Sequence, residues 1–350
     1  MVQDTDVTIH PSDVLVEHVL QGDQVEEDDG VGVMLLDIVK AGDLQGLQAA
    51  LSPATPAEAL TLLMNWMHKW QQEFQCVMES LATYMDALES HVEDNGDIED
   101  HAAEMKEMDA EAQAILAGFE KLSIALLSQC PDGVDNFDEL GWTLLMQAAN
   151  CGSLLFVREL IDTYNASVSI RQHGQESGMH ALARAIDAGH LDVVQVLVTP
   201  ETVNASFVYK NQDEEDSEDE PHTPLTLAIR GGHDSIASFL LSQPALDVNA
   251  QLPESGDSAL HTATCFDNTT VVEQILRVDG VDVNVVNSQG YTAAFGCSNA
   301  EIVSLLLAHG LDGNITGNEG ETAYDLAVAL EDDDVAAVLL QHTANSNQSS

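Results

Sequence analysis

The densest cluster of chemically active side chains is the run DEEDSEDE at residues 213–220. Such a concentration of negative charge favours cations or the basic surface of another protein, although an inert solvated loop is the alternative interpretation. Ser217 precedes three acids, which is typical of sites for acidophilic kinases, and a phosphate there would add further negative charge. We therefore predict Ser217 as a phosphorylation site and the surrounding acids as partner-binding residues: Asp213, Glu214, Glu215, Asp216, Glu218, Asp219 and Glu220.

Metal-binding and catalytic patterns are weak in comparison. Residues 91–100, HVEDNGDIED, are only loosely similar to a calcium loop, because His91 and Ala102 stand where such a loop needs carboxylates. The sequence contains neither a Gly-rich phosphate loop nor a GxSxG motif. Its five cysteines are widely spaced and form no CxxC, which indicates free thiols in a reducing compartment. We predict no catalytic residue, no metal site and no cofactor.

The overall charge narrows the classes of partner. Sixty Asp and Glu face ten Lys and Arg, so the net charge of −50 repels nucleic acid and anionic lipid and favours basic proteins. An acidic proteome, as in cells with a salty cytoplasm, is an alternative cause. The N-terminus has no signal-peptide pattern, and no apolar run reaches the ~18 residues of a membrane span. We expect a cytoplasmic protein, with the nucleus as an alternative, that binds neither nucleic acid nor membranes.

The elements that must position these residues come from an internal repeat. Six copies of one pattern begin at Gly141, Gly178, Pro221, Gly256, Gly290 and Gly320, and we number them one to six. The third reads PHTPLTLAIRGGHDSIASFLL and the second GMHALARAIDAGHLDVVQVLV. The aligned anchors are 37, 43, 35, 34 and 30 residues apart: Thr143, His180, Thr223, Ser258, Thr292 and Thr322. This scatter surrounds a period of ~33 residues.

Each copy has the pattern of two short helices. Thr223 suits the N-cap of the first helix and Pro224 its first turn, where the missing N–H is harmless. The glycines at 152, 189 and 232 suit a tight turn into the second helix, and a Gly-His pair often stands there. The histidines of these pairs are predicted to make structural hydrogen bonds. Because one copy cannot bury its own apolar surface, the copies must stack.

With its T-P-L-x-x-A motif, Gly-His pairs and Asp-Val-Asn triplets, the sequence resembles the ankyrin-repeat family over residues ~131–342. The fifth copy is shortened, so its first helix is expected to be distorted. The sixth carries four acids between its helices and is predicted to be a cap. The fold class expected is all-α: an ankyrin-repeat solenoid preceded by a long antiparallel helical hairpin.

The N-terminal third lacks the repeat. Residues 1–32 are acidic and predicted to be disordered, as is the tail at 343–350. The region 33–130 is predicted to be helical, with a helix-turn-helix at 33–52 that is similar to a degenerate repeat. Apolar residues spaced by three and four then predict a helical hairpin over 57–128 that forms an elongated N-terminal cap. In the alternative, its aromatic residues pair with a second protomer or a partner helix: Trp66, Trp70 and Phe74.

The resemblance implies binding of other proteins through the finger loops and the concave inner-helix face. The longest interval between anchors places the acidic run in a finger, so the first hypothesis is a non-enzymatic scaffold or inhibitor that captures a basic protein surface. The alternative is an assembly protein that oligomerises through the 57–128 helices and displays the repeat array. Inner-face contact residues are predicted at Trp142, Met146, Gln147, Arg184, Arg230 and Tyr291.

Overall fold

The structure is a computed structural model that describes residues 120–121, 123–124, 127–128, 134–138, 140–173, 178–209 and 220–346. The predicted acidic tail at 1–32, the helix-turn-helix at 33–52 and almost all of the predicted hairpin lie outside these residues. The chain divides into two compact units, which are described separately. One comprises residues 1–138 and 155–166, and the other comprises residues 139–154 and 167–350.

In the first unit, the described residues centre on one amphipathic helix. Helix α2 spans Leu154–Asp162 and belongs to this unit from Leu155 onward. Its apolar face buries Phe156, Val157 and Leu160. The Leu155 backbone N–H donates to Oε1 of Glu120 at 3.0 Å. A carboxylate at the positive end of a helix dipole is favourable, and this one also satisfies an otherwise unpaired donor.

The second unit consists of paired short helices, one pair in most copies of the repeat. The elements in chain order are α1 (Leu144–Asn150), α3 (Ala181–Asp187), α4 (Leu191–Leu197), β1 (Phe207–Tyr209), β2 (Glu220–His222), α5 (Pro224–Arg230), α6 (Asp234–Leu241), α7 (Ala259–Cys265), α8 (Thr269–Leu276), α9 (Ala300–Ala308), α10 (Ala323–Ala329) and α11 (Asp333–Ser346). The predicted ankyrin-repeat fold is confirmed, with the addition of two short strands. Helix α11 runs past residue 342 to Ser346.

Five of the six anchor residues start the first helix of their repeat, as predicted, and Thr292 in the fifth repeat does not. Thr223 accepts a hydrogen bond from the Thr226 backbone N–H, and the Thr226 hydroxyl accepts one from Thr223 N–H at 2.8 Å, which completes a capping box. Thr322 does the same with Asp325 ahead of α10. In the second repeat, Nδ1 of His180 takes the place of the threonine hydroxyl and accepts from Ala183 N–H at 3.1 Å.

The turns between paired helices need a left-handed residue, and the sequence mostly supplies glycine. Gly189 and Gly232 have φ of 77° and 68°. The fourth and sixth repeats place Asp267 and Glu331 there instead, with φ of 54° and 62°. A side chain in this region costs about 1 kcal/mol or more relative to glycine, so these two turns are strained.

Two rows of helices stack along the second unit. The first helices form an inner row in which α1 packs on α3, α3 on α5 and α5 on α7. The second helices form an outer row in which contacts run from α4 through α6, α8 and α9 to α11. Completely buried alanines let neighbouring inner helices approach closely: Ala183, Ala228 and Ala263. Each buried Leu or Ile between the rows contributes about 1.5–3 kcal/mol.

Asparagine side chains join the loops of successive repeats. Nδ2 of Asn249 donates to Gly280 O at 2.8 Å, and its Oδ1 accepts from Asp282 N–H at 2.8 Å. Asn284 makes the same pair of bonds one repeat later, to Gly310 O and Asp312 N–H. These bonds fix the spacing between repeats and explain why Asp-Val-Asn recurs in the sequence.

The fifth repeat has no first helix. Between Thr292 and the N-cap of α9 at Asn299, residues 293–296 form only a turn, in which Phe295 N–H donates to Thr292 O at 2.9 Å. The predicted distortion is confirmed. The inner row is therefore interrupted at this repeat, whereas the outer row continues across it from α8 to α9 and α11.

Candidate protein-interaction groove

A groove of about 510 Å³ lies on the inner-helix side of repeats three to five, and we call it the inner groove. It runs from β2 and the end of α5, past α7, to the turn that replaces the missing helix. Its lining includes the side chains of His222, Arg230, Asp257, Phe266, Tyr291 and Phe295. A space of this size falls within the range of roughly 300–1,000 Å³ found for ligand sites.

The apolar part of the inner groove lies where the inner row is interrupted. Phe266, the C-cap residue of α7, is 50% exposed and lines the groove together with Ala293 and Phe295 of the 293–296 turn. The C-caps of α1, α3 and α5 are small residues: Cys151, Ala188 and Gly231. An exposed phenylalanine is more informative than a buried one, because its contact with water is unfavourable unless another surface covers it.

An aromatic stack forms the far wall, and two carboxylates act on its tyrosine from outside the lining. The ring of Tyr291 stacks on Phe295 with centroids 4.5 Å apart and an interplanar angle of 11°. The Glu321 carboxylate accepts a hydrogen bond from the Tyr291 hydroxyl, which raises the pKa of Tyr291 and lowers the pKa of Glu321. The charge of Glu319 raises the pKa of Tyr291 further. The aromatic end of the groove therefore lies in a negative field.

The opposite end of the inner groove carries a cationic side chain, that of Arg230. Nη1 of Arg230 lies 3.2 Å from Nε2 of His222. Because the guanidinium can only donate, Nε2 must be the accepting nitrogen, so Nδ1 carries the proton and donates to the Thr226 hydroxyl at 3.4 Å. His222 belongs to β2, which pairs with β1 so that Tyr209 lies opposite Glu220. The two ends of the acidic segment are thereby held together beside this end of the groove.

A serine–histidine pair in the floor has a structural role. Ser258 Oγ lies 2.8 Å from His261 Nδ1, a distance compatible with nucleophile activation, but both residues are buried. Nδ1 also lies 3.2 Å from Ser258 N–H, and Nε2 lies 2.9 Å from Tyr291 O, so the ring joins the α7 cap to the fifth repeat. Burial lowers the pKa of His261 and keeps the ring neutral.

The histidines of the Gly-His pairs make structural hydrogen bonds, as predicted. Nε2 of His190 lies 3.1 Å from Asn150 O, and Nε2 of His233 lies 3.3 Å from Asp187 O, so each ring links its repeat to the preceding one. Burial lowers the pKa of His190. In the described part of the chain, no three His, Cys, Asp or Glu side chains come together in a way that could hold a metal ion.

The predicted contact residues fall into separate groups. Arg230 and Tyr291 both line the inner groove. Arg184 and Trp142 lie elsewhere, with the guanidinium 3.9 Å above the indole ring and each residue 7% exposed. Nη2 of Arg184 also donates to Gln172 Oε1 at 2.8 Å. This stacked pair is mainly a packing element of the first two repeats, since little of either side chain reaches solvent.

Two further predicted residues are inaccessible in this structure. Met146 and Gln147, both on α1, are 1% and 0% exposed. Neither of them lines the inner groove. Of the predicted acidic contacts, Glu220 belongs to β2, and residues 213–219, including Ser217, lie outside the described residues.

Sequence reasoning missed Phe266 and Phe295. The signals that could have found them were the short interval between Thr292 and Asn299 and the large residue at the end of α7. Taken together, they indicate that an aromatic side chain faces a place where a helix is missing.

Comparison with known families agrees with this architecture. A model of the family described as ankyrin repeats matches the chain in three copies, over residues 112–211, 199–287 and 266–350. The chain therefore belongs to the ankyrin-repeat family. Members of this family are stacks of helical repeats that present extended surfaces for binding other proteins.

The chain is similar to a curated relative and to solved structures. The ankyrin repeat protein FPV031 of fowlpox virus (strain NVSL) is 29% identical over 166 residues, which are 45% of this chain and 46% of FPV031. The match thus spans about half the length of that relative. The ankyrin repeat domain of Bcl-3, a member of the IκB family, is 21% identical with a TM-score of 0.50, over 65% of this chain and 94% of that one.

A chain in the complex of the Bdellovibrio bacteriovorus predatory endopeptidase Bd0816 with the immunity protein Bd3460 is also similar. It is 25% identical, with a TM-score of 0.44, and the match covers 56% of this chain and 96% of that chain. Among the described residues, no helix combines the length and the apolar character needed to cross a membrane.

Proposed function

We propose that the chain is a non-enzymatic interaction protein of the cytoplasm, a scaffold or inhibitor that binds a basic protein surface through its finger loops and inner-helix face. The observation that carries this proposal is the inner groove, in which accessible aromatic side chains lie among carboxylates. An apolar surface rimmed by charge is the usual composition of a protein interface.

The distribution of charge supports a basic partner. Residues 278–350 contain eleven Asp and Glu and no Lys or Arg, so the repeats at the aromatic end of the groove carry no cationic side chain of either type. At physiological salt the Debye length is about 8 Å, so these carboxylates act mainly on groups that come into contact with them. A docked partner must therefore supply the cations.

The acidic run at residues 213–220 also supports the proposal. Its ends are brought together by the β1–β2 pair, and Pro221 and His222 at the start of the third repeat line the groove. In the sequence, the seven carboxylates of the run follow β1 and lead into β2. At low salt, where screening is weak, such a segment would raise the association rate of a basic partner, because attraction then steers encounter more than it strengthens the final complex.

Affinity capture with matched charge variants tests this function. The full chain is immobilised beside a variant with Asp213, Glu214, Glu215 and Asp216 changed to Lys. A control with the same charge change carries Lys at four exposed positions outside the groove: Asp162, Glu201, Asp279 and Glu301. We expect the wild type and the control to retain the same basic proteins at low salt, and the acidic-run variant to lose them.

Identical capture by all three proteins would contradict the proposal. A slower association rate for the acidic-run variant with a purified captured protein, measured by surface plasmon resonance at low salt, would confirm the role of the charge. An unchanged rate would remove the acidic run from the proposed binding surface.

A further inference from the structure

We infer that the inner groove binds an extended, basic peptide segment of a partner and takes one large apolar side chain of that segment against Phe266, in the space left by the missing helix. This inference rests on the proposed function and specifies its ligand. The observations that carry it are the interrupted inner row, the exposure of Phe266, the hydrogen bonding of the groove side chains and the charge around the groove.

The space beside Phe266 is the place where a repeat would normally continue the inner row. In repeats two and three, the residues after the anchor form helices α3 and α5, whose inward side chains are buried. In repeat five the 293–296 turn stands where an inner helix would follow the anchor, and it lines the groove together with Phe266 and the exposed Cys265. A large apolar side chain placed beside this turn would cover the exposed face of Phe266.

The dimensions of the groove fit an extended chain. Its lining residues come from three successive repeats, two with an inner helix and the fifth with the 293–296 turn in its place. Inner helices of neighbouring repeats pack at roughly 8–10 Å from one another, so a groove across three repeats is roughly 16–20 Å long. An extended peptide rises about 3.3 Å per residue, and about five or six residues would therefore fill the groove.

The polar side chains in the lining are largely engaged with the protein itself. The hydroxyls of Thr262 and Thr264 donate to Ser258 O and His261 O, and Nδ2 of Asn287 donates to Asp257 Oδ1 at 2.8 Å. Gln289 adds an exposed amide to the lining, and the apolar contact surface is formed by the aromatic rings of Phe266, Phe295 and Tyr291. Recognition therefore depends on an apolar anchor, and the surrounding carboxylates select for cations beside it.

The net charge of the chain indicates that the ligand of the inner groove is a segment of a different protein and not of a second copy of this chain. A second copy carries the same net charge of −50 and would bring further carboxylates to Glu319 and Glu321. A Lys- or Arg-bearing segment instead places cations at that end. At the other end, Arg230 already interacts with His222, so its guanidinium is positioned to meet peptide carbonyl groups.

Selection from a random library tests the inference without knowledge of the partner. The full chain is used to select from phage-displayed random dodecapeptides, and the most enriched peptide is synthesised with a fluorescein label for anisotropy titrations. We expect enriched sequences to combine a large apolar residue with flanking Lys or Arg. Phe266→Ser should weaken binding of the labelled peptide about tenfold or more, as expected for a central anchor contact.

Matched variants make the result specific. Leu330→Ser alters an equally exposed apolar C-cap residue in the sixth repeat that does not line the groove, and it should leave the dissociation constant unchanged. Glu319→Lys with Glu321→Lys should weaken binding mostly at low salt. Because Phe266 and Leu330 are both exposed, neither change is expected to prevent folding, and coincident urea transitions would verify this.

Three results would overturn the inference: no enrichment of peptides, enrichment of sequences without basic or large apolar residues, or equal binding by wild type and Phe266→Ser. None of them decides the proposed function, which is tested by capture of whole proteins with the acidic-run variant. The acidic-run variant could lose capture while Phe266→Ser binds the labelled peptide as tightly as the wild type. That combination would retain the interaction role and reject this ligand.

Discussion

The third and fifth repeats use the same kind of anchor residue but form different structures. Thr223 is followed by the seven-residue helix α5 and then by the N-cap of α6 at His233, ten residues after the anchor. Thr292 reaches the N-cap of α9 at Asn299 after only seven residues. The missing three residues amount to nearly one helical turn of 3.6 residues, so only the 293–296 turn fits.

This difference shows that chain length, and not the capping residue, decides whether the inner helix forms. The outer row is unaffected, because α9 still packs between α8 and α11. The fifth repeat therefore retains its structural role on the outer side and exposes an aromatic recess on the inner side. In an array of otherwise similar repeats, the irregular one is the candidate for specific recognition.

The largest expected effect is on the free energy of unfolding, when an apolar side chain is removed from the third or from the fifth repeat. Ile229, on α5, is buried, whereas Phe295 in the fifth-repeat turn is only partly buried and contacts Tyr291 by stacking. Ile229→Ala should lower the free energy of unfolding by about 2–4 kcal/mol through cavity formation. Phe295→Ala should lower it by about 1 kcal/mol, close to the value of an aromatic pair. Urea denaturation followed by circular dichroism measures both, and equal losses would show that the turn is as tightly packed as a helix.

A second comparison concerns the caps of repeats two and three. Burial lowers the pKa of His180 to about 4 in the folded chain, below the value of about 6.5 expected in the unfolded chain. As the pH falls, the unfolded state binds the proton first, so stability is complete above pH 6.5 and is lost between pH 6.5 and 4.

His180→Thr, which installs the cap residue of the third repeat, should remove about 2 kcal/mol of this acid sensitivity at pH 5. Unfolding free energies of the wild type and the variant at pH 7.5 and pH 5 would measure it. Parallel pH profiles for the two proteins would mean that His180 does not titrate as its burial implies.

The smallest effect concerns the turns between paired helices. Gly232 and Glu331 occupy equivalent left-handed positions in repeats three and six, and a Cβ at Gly232 would meet no atom within 4 Å. Gly232→Ala should therefore lower stability by about 1 kcal/mol through backbone strain alone, and Glu331→Gly should raise it by a similar amount. Thermal unfolding midpoints that move in the same direction for both variants would contradict this assignment.

The regular parts of the fold could be predicted from sequence because their determinants are local. The Thr223 cap, the glycine turns and the Gly-His hydrogen bonds all depend on residues within one repeat or its neighbour, and the structure confirms them. Arg230 and Tyr291 were predicted as surface contacts from their positions in the repeat, and both line the inner groove.

The aromatic recess could not be predicted in the same way. The turn that lines the groove beside Phe266 lies about thirty residues later in the chain, and a pattern within the repeat of Phe266 contains no trace of that turn. Met146 was predicted on the inner face from its repeat position, but the packing of α1 against α3 buries it. In both cases contacts between repeats determine the outcome.

Restoring the missing helix tests the central claim most directly. In the test variant, residues 293–298 are replaced by the nine residues PLTLAIRGG of the third repeat, which returns the interval between Thr292 and Asn299 to ten residues. Amide hydrogen exchange would verify the new helix, and anisotropy titration with the selected dodecapeptide would measure binding. We predict a folded protein with an uninterrupted inner row that has lost the peptide. A variant that contains the helix and still binds the peptide as tightly as the wild type would contradict the account.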